Sequence, residues 1–199
     1  MTLIVGFQLG KDFGLVGDTK LTDGVSCIDR DYMVTKVQKT ELKDGVILIG
    51  TAGIARYCAF FQYTVQKAFE DANFDIEDYK YNVLTRKFHP SKVVSLLAYS
   101  DATDTVFVGC EDNYPFIPKF LEPYGVAAIG SGAEMFYGAL LAYRELSGAP
   151  DTFDDLITII GGAINIIIDH LNYIEYPFIG FMVKDHITHP IKIERPADE

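Results

Sequence analysis

The chain has 199 residues, 49% of them hydrophobic, so it can bury the core of one domain without help from disulfides or metals. Its formal net charge of -11 opposes binding to a phosphate backbone and argues against nucleic acid as a partner. The three cysteines form no close pair, which argues against a disulfide framework or a zinc site and favours a reducing, cytoplasmic compartment.

Apolar runs in the sequence are too short for a membrane span. A spanning helix needs about 18 consecutive apolar residues. The longest apolar stretch, residues 156–168, is interrupted by Thr158, Gly161, Gly162 and Asn165 and indicates a buried helix. We therefore expect no contact with a membrane.

The first quarter of the chain has the pattern of β-strands. Residues 2–9 and 13–17 are apolar runs joined by Gly10, Lys11 and Asp12, which is typical of a hairpin. Residues 33–37 and 46–49 continue the pattern, with a turn at residues 43–45. Together these runs predict a β-meander.

A helix is predicted next. Ile54, Cys58, Phe61, Val65 and Phe69 recur every three or four positions, as one buried helix face requires. Residues 74–90 are polar with scattered aromatic residues and are compatible with a second helix. Residues 93–99 and 105–110 predict a further strand pair, followed by a short strand at residues 126–129.

The last third of the chain predicts two helices and a closing strand pair. One helix runs from Ser131 to about Leu146, and the next begins near Asp151 or Thr152, each with a capping-box pattern at its start. Residues 178–183 and 187–193 are the closing strands. The order predicts a single α+β domain over residues 1–199, with two stacked sheets flanked by helices.

Several segments together resemble proteasome β subunits and the HslV-type peptidase, which belong to the N-terminal-nucleophile hydrolases. These segments are the opening MTLIVGFQLGKDFGLVGDTKLTDG, the pair Lys36-Val37, GTAG at 50–53, AIGSG at 128–132 and the closing strand pair. They occur in family order over nearly the whole chain. The resemblance implies a four-layer αββα sandwich and a threonine-type endopeptidase.

The nucleophile implied by this resemblance is Thr2, once Met1 has been removed. A threonine hydroxyl needs a base, and a chain-terminal threonine carries one in its own α-amino group. The resemblance places Lys36 on a neighbouring strand beside Thr2, where its charge favours proton transfer, and gives Asp18 the role of orienting Lys36. Lys39 could occupy the same position in an alternative alignment. The Lys-Val pair favours Lys36.

Three further residues receive catalytic roles from the resemblance. The backbone N–H of Gly53 would bind the oxyanion that forms on attack. Ser131 would hydrogen-bond near the nucleophile, although it also suits a helix cap. Asp169 aligns with an aspartate that orients this serine, but the serine that follows that aspartate in the family has no clear counterpart here.

The resemblance also implies a substrate and partners. Thr22 matches a residue whose backbone pairs with an extended polypeptide substrate, and Thr51 and Ala55 would line the pocket for the side chain before the cut. The expected assembly is a homo-oligomeric ring, to which a separate ATP-driven unfoldase would supply substrate. No cofactor is expected, and His186 and His189 lack the partners of a metal site.

Two other functions remain open at this point. The same fold serves as a catalytically silent structural subunit in proteasome rings, and the joint presence of Thr2, Asp18 and Lys36 favours the enzyme instead. An amidase that acts on a small molecule would use the same nucleophile. A narrow pocket in place of a strand-accepting groove would distinguish that amidase.

Overall fold

The computed structural model describes residues 2–20, 35–43, 45–70, 93–101, 105–111, 114–116 and 125–196. These ranges contain ten strands: β1 (Ile4–Leu9), β2 (Asp12–Asp18), β3 (Val37–Glu41), β4 (Gly45–Gly53), β5 (Val93–Asp101), β6 (Thr105–Glu111), β7 (Tyr114–Phe116), β8 (Gly125–Ile129), β9 (Phe178–Lys184) and β10 (Ile187–Ile193). They also contain three helices: α1 (Ala55–Glu70), α2 (Ala133–Ser147) and α3 (Phe153–Ile168).

The strands form two antiparallel sheets of five strands each. The first sheet has the order β10-β9-β2-β1-β8, and the second has the order β3-β4-β5-β6-β7. Helices α2 and α3 cover the outer face of the first sheet, and α1 covers the outer face of the second. The predicted α+β sandwich of two stacked sheets between helical layers is therefore confirmed.

Alternation along β1 explains why both of its faces are apolar. Val5 and Phe7 lie in the core shared with α2 and α3, whereas Ile4 lies in the core between the two sheets. Successive side chains of a strand point to opposite faces, so a strand buried on both faces reads as a continuous apolar run. The first sheet is consequently a middle layer of the sandwich.

The predicted β-meander over the first quarter is wrong. Strands β1 and β2 form the expected hairpin, but the other edge of β2 pairs with β9, and β3 and β4 belong to the second sheet. The strand expected at 33–37 begins at Val37, and residues 35 and 36 precede it without strand structure. The free edge of β1 pairs with β8, and the free edge of β2 pairs with β9. Both edges of the hairpin are therefore occupied, and β3 cannot pair with it.

The closing hairpin has the geometry of a tight two-residue turn. Lys184 pairs with Ile187, and the residues between them, Asp185 and His186, have φ values of 52° and 64°. Positive φ at both central positions is the type I′ arrangement, whose twist matches that of the flanking strands. The predicted closing strand pair is thus confirmed.

The helix boundaries confirm most predictions and correct two. The capping box at the start of α3 is present, because Thr152 accepts from Asp155 N and Asp155 accepts from Thr152 N. Helix α2 is preceded by Gly132 as its N-cap, without a side-chain cap, so Ser131 is not the cap. Ile54 precedes α1 and is exposed, so it is not part of the buried helix face.

The predicted helix at 74–90 lies outside the described residues. In the part of the chain that the structure describes, no helix is long and apolar enough to span a membrane.

Candidate active site

Thr2 lies two residues before the start of β1 and is almost completely buried, with 7% of its surface exposed. Its hydroxyl Oγ1 accepts a hydrogen bond from Lys36 Nζ at 3.0 Å. Its backbone nitrogen donates to Ser131 Oγ at 3.3 Å. The backbone nitrogen and the hydroxyl of this threonine therefore each meet one candidate site residue.

Asp18 ends β2 and is fully buried. The hairpin register pairs Ile4 with Gly17, which brings Asp18 beside Leu3. The Asp18 carboxylate accepts hydrogen bonds from Leu3 N at 2.8 Å, Lys20 N at 3.2 Å and Lys36 Nζ at 2.8 Å. Three donors compensate the carboxylate for much of the hydration that it loses on burial.

Lys36 joins the two sheets at this point. It immediately precedes β3 of the second sheet, while Thr2 and Asp18 belong to the β1–β2 hairpin of the first. The side chain is buried, and its Nζ lies within hydrogen-bond distance of both Thr2 Oγ1 and Asp18 Oδ2. The competing residue Lys39 instead pairs with Glu41 and lies over the Phe181 ring.

Burial opposes the charges of this ion pair. It lowers the pKa of Lys36 below its ordinary value, and the Asp18 carboxylate opposes that shift. It likewise raises the pKa of Asp18, against the effects of Lys36 and the two backbone N–H donors. A lysine with a lowered pKa beside a hydroxyl is suited to exchanging a proton with that hydroxyl.

The turn between β8 and α2 holds the backbone of Thr2. Gly130 adopts φ 96°, and a Cβ atom at this position would lie 2.2 Å from the Thr2 carbonyl oxygen. The next residue, Ser131, is exposed, and its Oγ accepts a hydrogen bond from the Thr2 backbone N–H. A glycine is therefore required directly against the candidate nucleophile.

The end of β4 contributes the other predicted site residues. Gly53 is exposed, with φ 136°, and Ala55 is exposed as the first residue of α1. Thr51 is buried, and its backbone nitrogen donates to the Lys36 carbonyl oxygen at 3.2 Å. Thr22 lies outside the described residues.

Asp169 lies at the end of α3 with its side chain 63% exposed. Its carboxylate accepts a hydrogen bond from Arg195 Nη2 at 2.7 Å. The described contacts of Asp169 thus involve the chain after β10, and those of Thr2 involve Lys36, Ser131 and Gly132.

Sequence reasoning missed two side chains of α1 at the site. Gln62 is buried and donates from Nε2 to the Lys36 carbonyl oxygen at 3.1 Å. Cys58 lies near Lys36, and burial raises the pKa of its thiol against the effects of the Thr51 side chain and the charge of Lys36. Positions 58 and 62 share a helix face with Phe61 and Val65. A glutamine on this apolar face could have indicated a buried polar contact from the sequence alone.

The described residues contain no group of three or more histidine, cysteine, aspartate or glutamate side chains that could hold a metal ion.

The arrangement of two stacked sheets between helical layers is shared by solved structures. A mutant of Anbu from Hyphomicrobium sp. strain MC1 superposes with a TM-score of 0.78 at 10% identity, over 98% of this chain and 89% of that one. Anbu, described as an ancestral β-subunit, from Yersinia bercovieri gives 0.69 at 11% identity, over 98% and 87%.

Eukaryotic HslV from Trypanosoma brucei gives a TM-score of 0.59 at 16% identity, over 90% of this chain and 98% of that one. No protein-family model and no curated protein matches the sequence. The similarity to solved structures therefore concerns the fold alone.

The close contact at Gly130 predicts that Gly130→Ala distorts the site. The new Cβ meets the Thr2 carbonyl oxygen and forces alanine into a positive φ, so we expect a loss of at least about 2 kcal/mol in the free energy of unfolding. Urea denaturation measures it. The control is Gly138→Ala in α2, where a Cβ meets nothing within 4 Å and helix propensity predicts a gain of up to about 1 kcal/mol. Equal effects of the two substitutions would contradict the tight packing at Gly130.

The buried ion pair predicts that Lys36→Met lowers the free energy of unfolding by about 3–5 kcal/mol at pH 7, because Asp18 is left buried without its cation. The Asp18 pKa in the folded variant then rises further above its unfolded value of 3.8. A raised folded-state pKa stabilises the fold below the unfolded value, and this contribution is lost as pH rises through the folded value. The loss should therefore be smaller at pH 5 than at pH 7.

Lys39→Met is the matched control for this measurement. Its partner Glu41 is exposed, so the expected loss is at most about 1 kcal/mol. A loss from Lys36→Met that is equal at pH 5 and pH 7, or no greater than that from Lys39→Met, would contradict a buried Lys36–Asp18 pair.

Proposed function

We propose that the chain is a threonine-type endopeptidase whose nucleophile is Thr2, made N-terminal by removal of Met1. The observation that carries this proposal is the position of Lys36 Nζ, 3.0 Å from Thr2 Oγ1 and 2.8 Å from Asp18 Oδ2. The proteasome-like fold supports the same class of chemistry.

In this mechanism the α-amino group of Thr2 is the base. Its reference pKa of roughly 7.7–8.0 lies near neutral pH, and the positive charge of Lys36 lowers it further. The amine accepts the hydroxyl proton while Oγ1 bonds to the peptide carbonyl carbon. Lys36 stabilises the developing alkoxide, and Asp18 keeps Lys36 in place.

The remaining steps use the residues around the nucleophile. The Gly53 N–H stabilises the oxyanion of the tetrahedral intermediate, and the amine returns its proton to the leaving nitrogen as the carbon–nitrogen bond breaks. Water then hydrolyses the acyl ester on Oγ1. Ser131 Oγ, 3.3 Å from the Thr2 nitrogen, orients the amine. Asp169 is proposed to orient Ser131 in turn.

Among the described residues, Cys58 is a second nucleophilic side chain near Lys36. Burial raises the pKa of its thiol, so the reactive thiolate is disfavoured at neutral pH. Thr51 and Ala55 are the residues that line the proposed substrate pocket. These observations favour Thr2 over Cys58 as the nucleophile.

The substrate in this proposal is an extended polypeptide that pairs with the backbone at Thr22, and the enzyme works inside a homo-oligomeric ring. Exposed apolar side chains on the outer helices support such an assembly: Tyr63 on α1, Leu141 and Leu146 on α2, and Ile166 on α3. A separate ATP-driven unfoldase would supply unfolded substrate.

The proposal predicts covalent modification at Thr2. Intact-mass analysis should show loss of Met1, and a peptide epoxyketone should add one equivalent to wild type because it reacts with a threonine that has a free α-amine. Thr2→Ala should reduce the labelling rate by at least about 100-fold. Cys58→Ser is the control and should label at nearly the wild-type rate.

Three outcomes would contradict the proposal: active protein that retains Met1, labelling of Thr2→Ala at the wild-type rate, or labelling that Cys58→Ser abolishes. Processed wild type that neither labels nor cleaves unfolded polypeptide would instead indicate a structural ring subunit. Turnover of a small amide without cleavage of polypeptide would indicate an amidase.

A further inference from the structure

Gln62 is a polar side chain inside an apolar layer. It lies on α1, between the helix and the second sheet, with only 4% of its surface exposed. Its neighbours on the same helix face, Phe61 and Val65, pack against Ile47, Ile49 and Leu97. A buried amide is costly unless it is hydrogen-bonded, and the bond formed by Gln62 is directed at Lys36.

The backbone of Lys36 needs such an anchor. The β3–β4 ladder begins with Val37 opposite Gly50, so Lys36 lies just outside the paired strand. Its carbonyl oxygen accepts two hydrogen bonds, from Thr51 N at 3.2 Å and from Gln62 Nε2 at 3.1 Å. One donor belongs to β4 and the other to α1, so two different elements fix this peptide group.

We propose that Gln62 is a positioning residue that holds the Lys36 backbone so that its ammonium reaches both Thr2 and Asp18. The consequence for catalysis rests on the function proposed above, while the effect on Lys36 itself does not. Lys36 Nζ has to lie within hydrogen-bond distance of two buried oxygens at once. A rotation of the peptide group at Lys36 shifts the whole side chain, and a displacement of about 1 Å at a catalytic group can reduce the rate by about 100-fold.

This role also links α1 to the chemistry. The helix begins at Ala55, two residues after Gly53, and contacts Lys36 two turns later through Gln62. One helix therefore contacts the lysine backbone and begins two residues after the residue proposed to bind the oxyanion.

Gln62→Met tests the proposal, because methionine has nearly the same length but cannot donate a hydrogen bond. Val65→Ala is the control: it removes buried volume from the same helix face without touching the Lys36 carbonyl group. A third variant, Gln62→Asn, keeps the amide but is one methylene group shorter, so its N–H donor lies farther from the Lys36 carbonyl oxygen. It replaces Gln62→Met in the test if that variant does not fold.

Two readouts separate positioning from stability. The first is the rate of Thr2 labelling by the peptide epoxyketone, which should fall about tenfold in Gln62→Met and stay within about twofold of wild type in Val65→Ala. The second is an NMR titration of the lysine 13Cε resonances, with Lys36 assigned through Lys36→Arg. In Gln62→Met the pKa of Lys36 should rise towards its ordinary value because the side chain leaves its buried position, whereas in Val65→Ala it should remain as in wild type.

The proposal is overturned if the Gln62 variants leave the Lys36 titration unchanged, or if Val65→Ala, at an equal drop in melting temperature, reproduces both changes. Failure of the proposed peptidase function has a different signature. Wild type would then not be labelled at Thr2, and the titration of Lys36 would still decide whether Gln62 positions it.

Discussion

A buried ion pair between the two sheets is the constraint on which the site depends. Lys36 enters from the second sheet and Asp18 from the first, and their contact of 2.8 Å is enclosed by the sandwich. Such a pair is tolerated only when its remaining polar groups are satisfied. The β1–β2 register provides backbone donors for Asp18, and Thr51 and Gln62 hold the carbonyl group of Lys36. Lys36 Nζ also donates a hydrogen bond to Thr2 Oγ1.

The packing of the sheets brings these groups together. Ile4 of β1 fills the space above Gly17 and Gly50, where a Cβ atom would lie 2.6 and 2.5 Å from its side chain. The absence of side chains at these two glycines lets the sheets approach closely beside the site. Gly130 likewise leaves room for the Thr2 carbonyl group. Three glycines therefore permit the close contacts around the candidate site.

Local sequence patterns predicted most elements, because hairpin spacing and apolar periodicity depend on neighbouring residues. The spacing within the first hairpin brings Asp18 beside residue 3, and the Lys-Val pair distinguished Lys36 from Lys39. Strand pairing was less predictable: β2 pairs with β9, about 160 residues away, because edge availability is a property of the whole fold. Ser131 fits a capping box by sequence, yet its hydroxyl accepts a hydrogen bond from the Thr2 backbone N–H. Gln62 carries no motif, and its role is visible only when α1 lies against Lys36.

A crystal structure of the protein after reaction with a peptide epoxyketone tests the central claim most directly. We expect electron density continuous with Thr2 Oγ1 and the Thr2 nitrogen. Lys36 Nζ should remain within hydrogen-bond distance of Asp18 Oδ2, and the adduct oxygen should point at the Gly53 N–H. An adduct on Cys58, or a Thr2 adduct from which Lys36 and Asp18 have separated, would contradict it.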